Sequence, residues 1–133
     1  MSDLNKYYER VQKNGSLREE KHAKRWSMAV LQTLGLNLTS GAKRALKDAL
    51  PKELGEQLTD VWWLIHFPNS DMSMQEFQER VGRRAGNTDI RFARIPTIAT
   101  FGALKNLLNN NSVVEEVAKG LSPELKAVWE GAA

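Results

Sequence analysis

The chain contains no cysteine. Disulfide scaffolds, thiolate zinc sites, thiol nucleophiles and redox switching are therefore excluded, and a reducing cytoplasm is the expected setting. Histidine is nearly as scarce: His22 and His66 stand alone, so neither His-x-x-x-His nor His-Glu-x-x-His can form. The glycines are scattered without Gly-x-Gly-x-x-Gly or a Gly-Lys-Ser/Thr ending, which removes the usual cradles for nucleotide phosphates. No cofactor is expected. The longest apolar run, Val61-Trp62-Trp63-Leu64-Ile65, falls far short of the roughly 20 residues that span a bilayer. The start, Met1-Ser2-Asp3-Leu4-Asn5-Lys6, turns polar at once and lacks a signal-peptide core. A soluble protein without a membrane partner is expected.

Charge of one sign is also missing. The chain carries 19 basic and 16 acidic residues, a formal net charge of +3, with eleven basic and eight acidic through Ser70 and eight of each after it. Any polyanion-binding surface has to come from local clustering. Period-two alternation over strand length is absent as well, which points to an all-α protein.

What is present is a duplication. At an offset of 70, Tyr7-Tyr8-Glu9-Arg10-Val11 aligns with Phe77-Gln78-Glu79-Arg80-Val81, and Ala29 and Leu34 align with Ala99 and Leu104. At an offset of 71, Leu50-Pro51-Lys52-Glu53-Leu54 aligns with Leu121-Ser122-Pro123-Glu124-Leu125. Leu4, Tyr7, Tyr8 and Val11 form an amphipathic helical stripe that Met74, Phe77 and Val81 repeat. Ser16-Leu17-Arg18-Glu19, Ser73-Met74-Gln75-Glu76 and Ser112-Val113-Val114-Glu115 have the form of capping boxes. A second helix is expected from about Leu17 to Leu34, with Ala23, Trp26, Val30 and Leu34 inward. In its counterpart Pro96 stands opposite Trp26, so that helix should kink or restart near Phe92 to Ile95. Third helices follow Thr39-Ser40 and Ser112, and short final helices open on Pro51 and Pro123.

The expected architecture is an internally duplicated helical bundle, two pseudo-symmetric units of about four helices sharing one core. Residues 1–133 form a single domain, with repeat units at 3–60 and 73–130 and an aromatic segment and connection at 61–72.

The residues that recur, Glu9-Arg10-Val11, Ala29-Val30-Leu31-Gln32-Thr33-Leu34 and Leu50-Pro51-Lys52-Glu53-Leu54, resemble the bacterial domain of unknown function 2267 family over Leu4 to Trp129. The resemblance implies a small helical protein with two similar halves and a bacterial origin. It implies no activity and carries over no catalytic residue.

Candidate chemistry is sparse. His22 stands three residues after Glu19 with no nucleophile tied to the pair, so a surface histidine is the plain reading. Glu53, Glu56 and Asp60 form an acidic stripe of the kind found on solvated helix faces. No catalytic and no metal-ligating residue is assigned, and the chain is not expected to be an enzyme.

Two segments stand out where the repeats disagree. Trp62 and Trp63 point about 100° apart on a helix, so both cannot occupy one core stripe; with Ile65 and Phe67 they are the expected interface for another protein or a second copy, a homodimer. Arg80, Arg83, Arg84, Arg91 and Arg94 form the densest basic cluster, opposed within that interval only by Asp89. Pairing with Glu76 and Glu79 is its ordinary use. The alternative is sequence-independent nucleic-acid binding. The leading expectation is a protein–protein interaction or structural module.

Overall fold

The computed structural model describes residues 3–59, 72–86, 89–108 and 111–133. The described residues are helical or connecting, with eight helices and no strand: α1 Asp3–Asn14, α2 Glu20–Asn37, α3 Ser40–Ala49, α4 Lys52–Gln57, α5 Met74–Ala85, α6 Ile90–Leu107, α7 Asn111–Lys119 and α8 Pro123–Gly131. The all-α expectation holds. None of these helices is long and apolar enough to cross a membrane.

Side-chain spacing explains the packing. On α1, Tyr7, Tyr8 and Val11 are buried, and on α5 Met74, Phe77, Val81 and Ala85 are buried, one helical stripe in each case. The two long helices, α2 and α6, each supply more buried residues than any other helix. Helix α1 packs on α2 and α6, α5 packs on α6 and α2, α2 meets α6, and α3 meets α7. The short helix α4 lies against α2 and α3, while α8 lies against α5, α6 and α7. Phe77, Phe101 and Trp129 form an aromatic column with successive centroids 5.6 and 5.4 Å apart. Trp129 also donates its indole N–H to Val114 O at 3.2 Å, so its polar edge is satisfied.

The helix ends follow the expected chemistry in part. Thr39 accepts from Ala42 N, Ser73 from Glu76 N and Ser122 from Leu125 N, each side-chain oxygen taking a backbone N–H that the helix leaves free. Ser16 does not cap α2, because it has φ 56° and closes α1 instead. There Leu17 N bonds back to Gln12 O at 2.9 Å, the six-residue closure that demands a left-handed residue before it. Helix α2 then begins at Glu20 without a side-chain cap. Ser112 lies inside the first turn of α7 rather than before it. Pro123 opens α8 from its first turn, whereas Pro51 is the residue preceding α4.

Helix α6 runs unbroken through Pro96, so of the expected kink or restart the restart does not occur. Proline costs a helix about 3 kcal/mol and one hydrogen bond. That cost is offset by packing of α6 on α1, α2, α5 and α8, and Thr100 Oγ1 donates to Pro96 O at 2.8 Å.

Two glycines mark close approaches. A Cβ on Gly35 would collide with the carbonyl of Leu58, and one on Gly102 with the carbonyl of Ala133. Lys105 Nζ donates to the carbonyls of Trp129, Ala132 and Glu130 at 2.7, 2.8 and 3.2 Å, which clamps the end of α8 onto α6.

Candidate functional site

The arginines of the basic cluster sit on two helices and divide into two groups. On α5, Arg80, Arg83 and Arg84 occupy neighbouring turns; Arg83 is exposed and the other two half-buried. Burial first, and then the nearby Arg80 and Arg83 guanidiniums, hold Arg84 below the ordinary guanidinium range. Arg83 pairs with Glu79, as the pairing reading expects. Arg80 and Arg84 make no ion pair among the described residues, so that reading covers only part of the group.

Arg91 and Arg94 open α6 and are both exposed. They line a cleft of about 830 Å³ with Ser73, Gln75 and Gln78 on the α5 side and Glu124 and Val128 on the α8 side. Arg94 Nη1 donates to Gln78 Oε1 at 3.5 Å, and Arg91 Nε lies 3.5 Å from Asp89 Oδ1. Glu124 accepts from Met74 N at the start of α5, so one oxygen of this carboxylate is already committed.

Sequence reasoning missed the apolar part of this corner. Ile95 is 53 % and Phe92 47 % exposed, the two most exposed large hydrophobic side chains among the described residues. Phe92 rests on Trp26 with ring centroids 5.7 Å apart, which fixes one side of its ring and leaves the rest in water. Ile98, one turn beyond Ile95, is half-buried. With α6 continuous, Arg91, Ile95 and Ile98 follow at i, i+4 and i+7 and share one outward face. A helix broken at Pro96 hides that register, which is why Phe92 and Ile95 read as a disrupted stretch. Met28, 39 % exposed, belongs elsewhere: two residues after Trp26 it points about 200° around α2.

The other expected sites resolve unevenly. Trp62, Trp63, Ile65, Phe67 and Asp60 lie outside the described residues. His22 lies 3.6 Å from Glu19, and no group of three metal-capable side chains occurs among the described residues. Glu53 is engaged by Tyr8, whose hydroxyl donates to it at 2.5 Å. Burial, reinforced by the Glu53 carboxylate, pushes the Tyr8 phenol well above its usual range. Lys24 sits 5.4 Å over the Tyr8 ring. A second groove of about 450 Å³ runs between α1 and α6, edged by Lys6, Arg10 and Lys13 but also by Asp3 and Glu9.

The profile of one family, described as an uncharacterized conserved protein (DUF2267), matches residues 4–128. The chain belongs to that family. Membership in DUF2267 agrees with the resemblance read from the repeated segments, and it attaches no reaction or ligand to any residue. No curated protein matches this DUF2267 chain.

Proposed function

We propose that this DUF2267 chain is a duplicated helical module that works without catalysis, by docking a protein partner on the outward face of α6. The duplication is supported by the packing pattern. Exchanging α1 with α5, α2 with α6, α3 with α7 and α4 with α8 maps the α1 to α2 contact onto α5 to α6 and the α1 to α6 contact onto α5 to α2. The α2 to α6 and α3 to α7 contacts map onto themselves, as contacts on a two-fold axis must. Repeat units at 3–60 and 73–130 fit that exchange. A bacterial cytoplasm suits a cysteine-free chain of this kind.

The docking reading rests on one observation: Phe92 and Ile95 stand about half exposed one turn apart, beside the exposed Arg91 and Arg94, on a helix that packs against four others. Exposed large apolar residues grouped on one face mark contact sites. The test is a photo-reactive phenylalanine derivative placed at Ile95 in living cells of the native host. A protein adduct stronger than that from the same reporter at Lys119, an exposed position on α7, is the expected result. Equal labelling at both positions refutes the reading.

A second reading, sequence-independent nucleic-acid binding, is favoured by the crowding of Arg80, Arg83 and Arg84. Arg80 and Arg84, which make no ion pair among the described residues, are available to phosphate oxygens. Such binding should be visible as a mobility shift at about 50 mM salt and fade steeply at about 200 mM, because each neutralised phosphate releases counterions. No shift at the lower salt removes it.

A further inference from the structure

We infer that the occupant of the α6 face is an acidic amphipathic helix of a different protein, its apolar side chains covering Phe92 and Ile95 and its carboxylates meeting Arg91 and Arg94. The inference rests on the docking reading and adds the chemistry of the partner. Phe92 and Ile95 are separated by three residues, about 4.5 Å along the helix axis, which is the spacing at which a partner helix offers its own i and i+3 anchors. A ridge of this kind packs into the groove between two turns.

Charge decides the sign of the partner. Each guanidinium presents five N–H donors. Arg91 directs its Nε toward Asp89 and Arg94 its Nη1 toward Gln78, so both retain donors arranged for a carboxylate fork. The carboxylate that lines the cleft, Glu124, has an oxygen held by Met74 N. Arg91 pairs with Asp89 through Nε alone and Arg94 makes no ion pair among the described residues, so an incoming Asp or Glu finds guanidinium N–H donors on both.

The same arrangement argues against the other occupants. A second copy docked face to face across a two-fold axis would set Arg91 and Arg94 against their own equivalents, and like charges opposed across an interface are costly. A phosphodiester strand offers nothing to cover Ile95. A bilayer is flat, whereas Arg91 and Arg94 line a cleft walled by α5 and α8.

The experiment uses the photo-reactive residue at Ile95 in the full chain, with the Arg91→Glu and Arg94→Glu pair, and separately the Arg91→Lys and Arg94→Lys pair, added to it. Far-UV circular dichroism confirms that each variant folds, as expected for exposed positions. The expected adduct maps by mass spectrometry to a peptide with an excess of Asp and Glu and helical apolar spacing. Its yield should fall about tenfold on charge reversal, the size of effect carried by close charge pairs, and be largely kept by the lysine pair. An adduct that survives charge reversal, or maps to a neutral or basic peptide, overturns the acidic partner while leaving docking in place. Adducts to the chain itself, to lipid or to nucleic acid overturn it as well, and no labelling above the Lys119 control overturns both readings together.

Discussion

Replacing Thr97 by valine should make this protein more stable, although it removes a polar group from a helix. Thr97 is fully buried, and its Oγ1 finds no hydrogen-bond partner among the described residues. A buried hydroxyl left unpaired costs about 1–3 kcal/mol, and valine has nearly the same shape, so the exchange opens no cavity. The expected gain is about 1 kcal/mol, or a rise in Tm of about 3–5 °C for a domain of this length. Ser27, seventy positions earlier, supplies the contrast. It is equally buried but shares a 2.5 Å hydrogen bond with the hydroxyl of Tyr7, itself only 2 % exposed. Ser27→Ala strands that phenol and should cost about 1–2 kcal/mol. Adding Tyr7→Phe removes the stranded group, so the double variant should recover about 1 kcal/mol relative to additivity. Phe77, seventy positions after Tyr7, carries no hydroxyl, and Thr97, seventy after Ser27, has no hydrogen-bond partner among the described residues. Urea unfolding followed by tryptophan fluorescence and circular dichroism measures all four variants. If Thr97→Val destabilises as much as Ser27→Ala, the reasoning from hydrogen-bond satisfaction is wrong.

Three further outcomes are expected. Burial raises the phenol pKa of both Tyr7 and Tyr8 in the folded state; stability from these protons is complete below about pH 10, the unfolded value, and is lost as pH rises past it. Each tyrosine contributes a downward slope of about 1.4 kcal/mol per pH unit there, and urea titrations from pH 9 to 11 should show it flatten in Tyr7→Phe. Lys105→Met removes the donor for three carbonyls at the end of α8; a loss of about 1–2 kcal/mol and faster amide exchange confined to α8 are expected. Gly35→Ala forces a methyl group into the Leu58 carbonyl; overpacking of this kind costs about 1–3 kcal/mol, and a Tm unchanged from the parent would show that the α2 to α4 approach is looser than the structure has it.

The sequence and the structure part company at identifiable residues. Tyr7, Val11, Phe77 and Val81 were legible as core because helical periodicity and the repeat agreed on them. Ser73 and Thr39 were legible as helix starts because capping is local chemistry, whereas the cap at Ser122 went unread behind Pro123. Ser16 and Ser112 carried the same signature and did something else, since the end of α1 and the register of α7 compete for those positions. Pro96 misled most. Its intrinsic penalty reads as a kink or a restart, and the restart is absent because α6 is surrounded by four other helices, whose packing outweighs the local preference. That single misreading concealed the outward register of Arg91, Phe92 and Ile95. The split of the arginines between the α5 face and the α6 cleft was beyond pattern reading altogether, because it depends on where α8 packs.

The crosswise packing of α1 on α6 and α5 on α2 has a consequence during synthesis. When Gln57 has left the ribosome, α5 and α6, which complete the cover over α1 and α2, have not yet been made. The last of them, α6, ends at Leu107, about 3–10 s later at ordinary elongation rates. For that interval the nascent first half carries an apolar face with nothing to close it. Completion of the core over α1 and α2 therefore waits until most of the polypeptide has emerged.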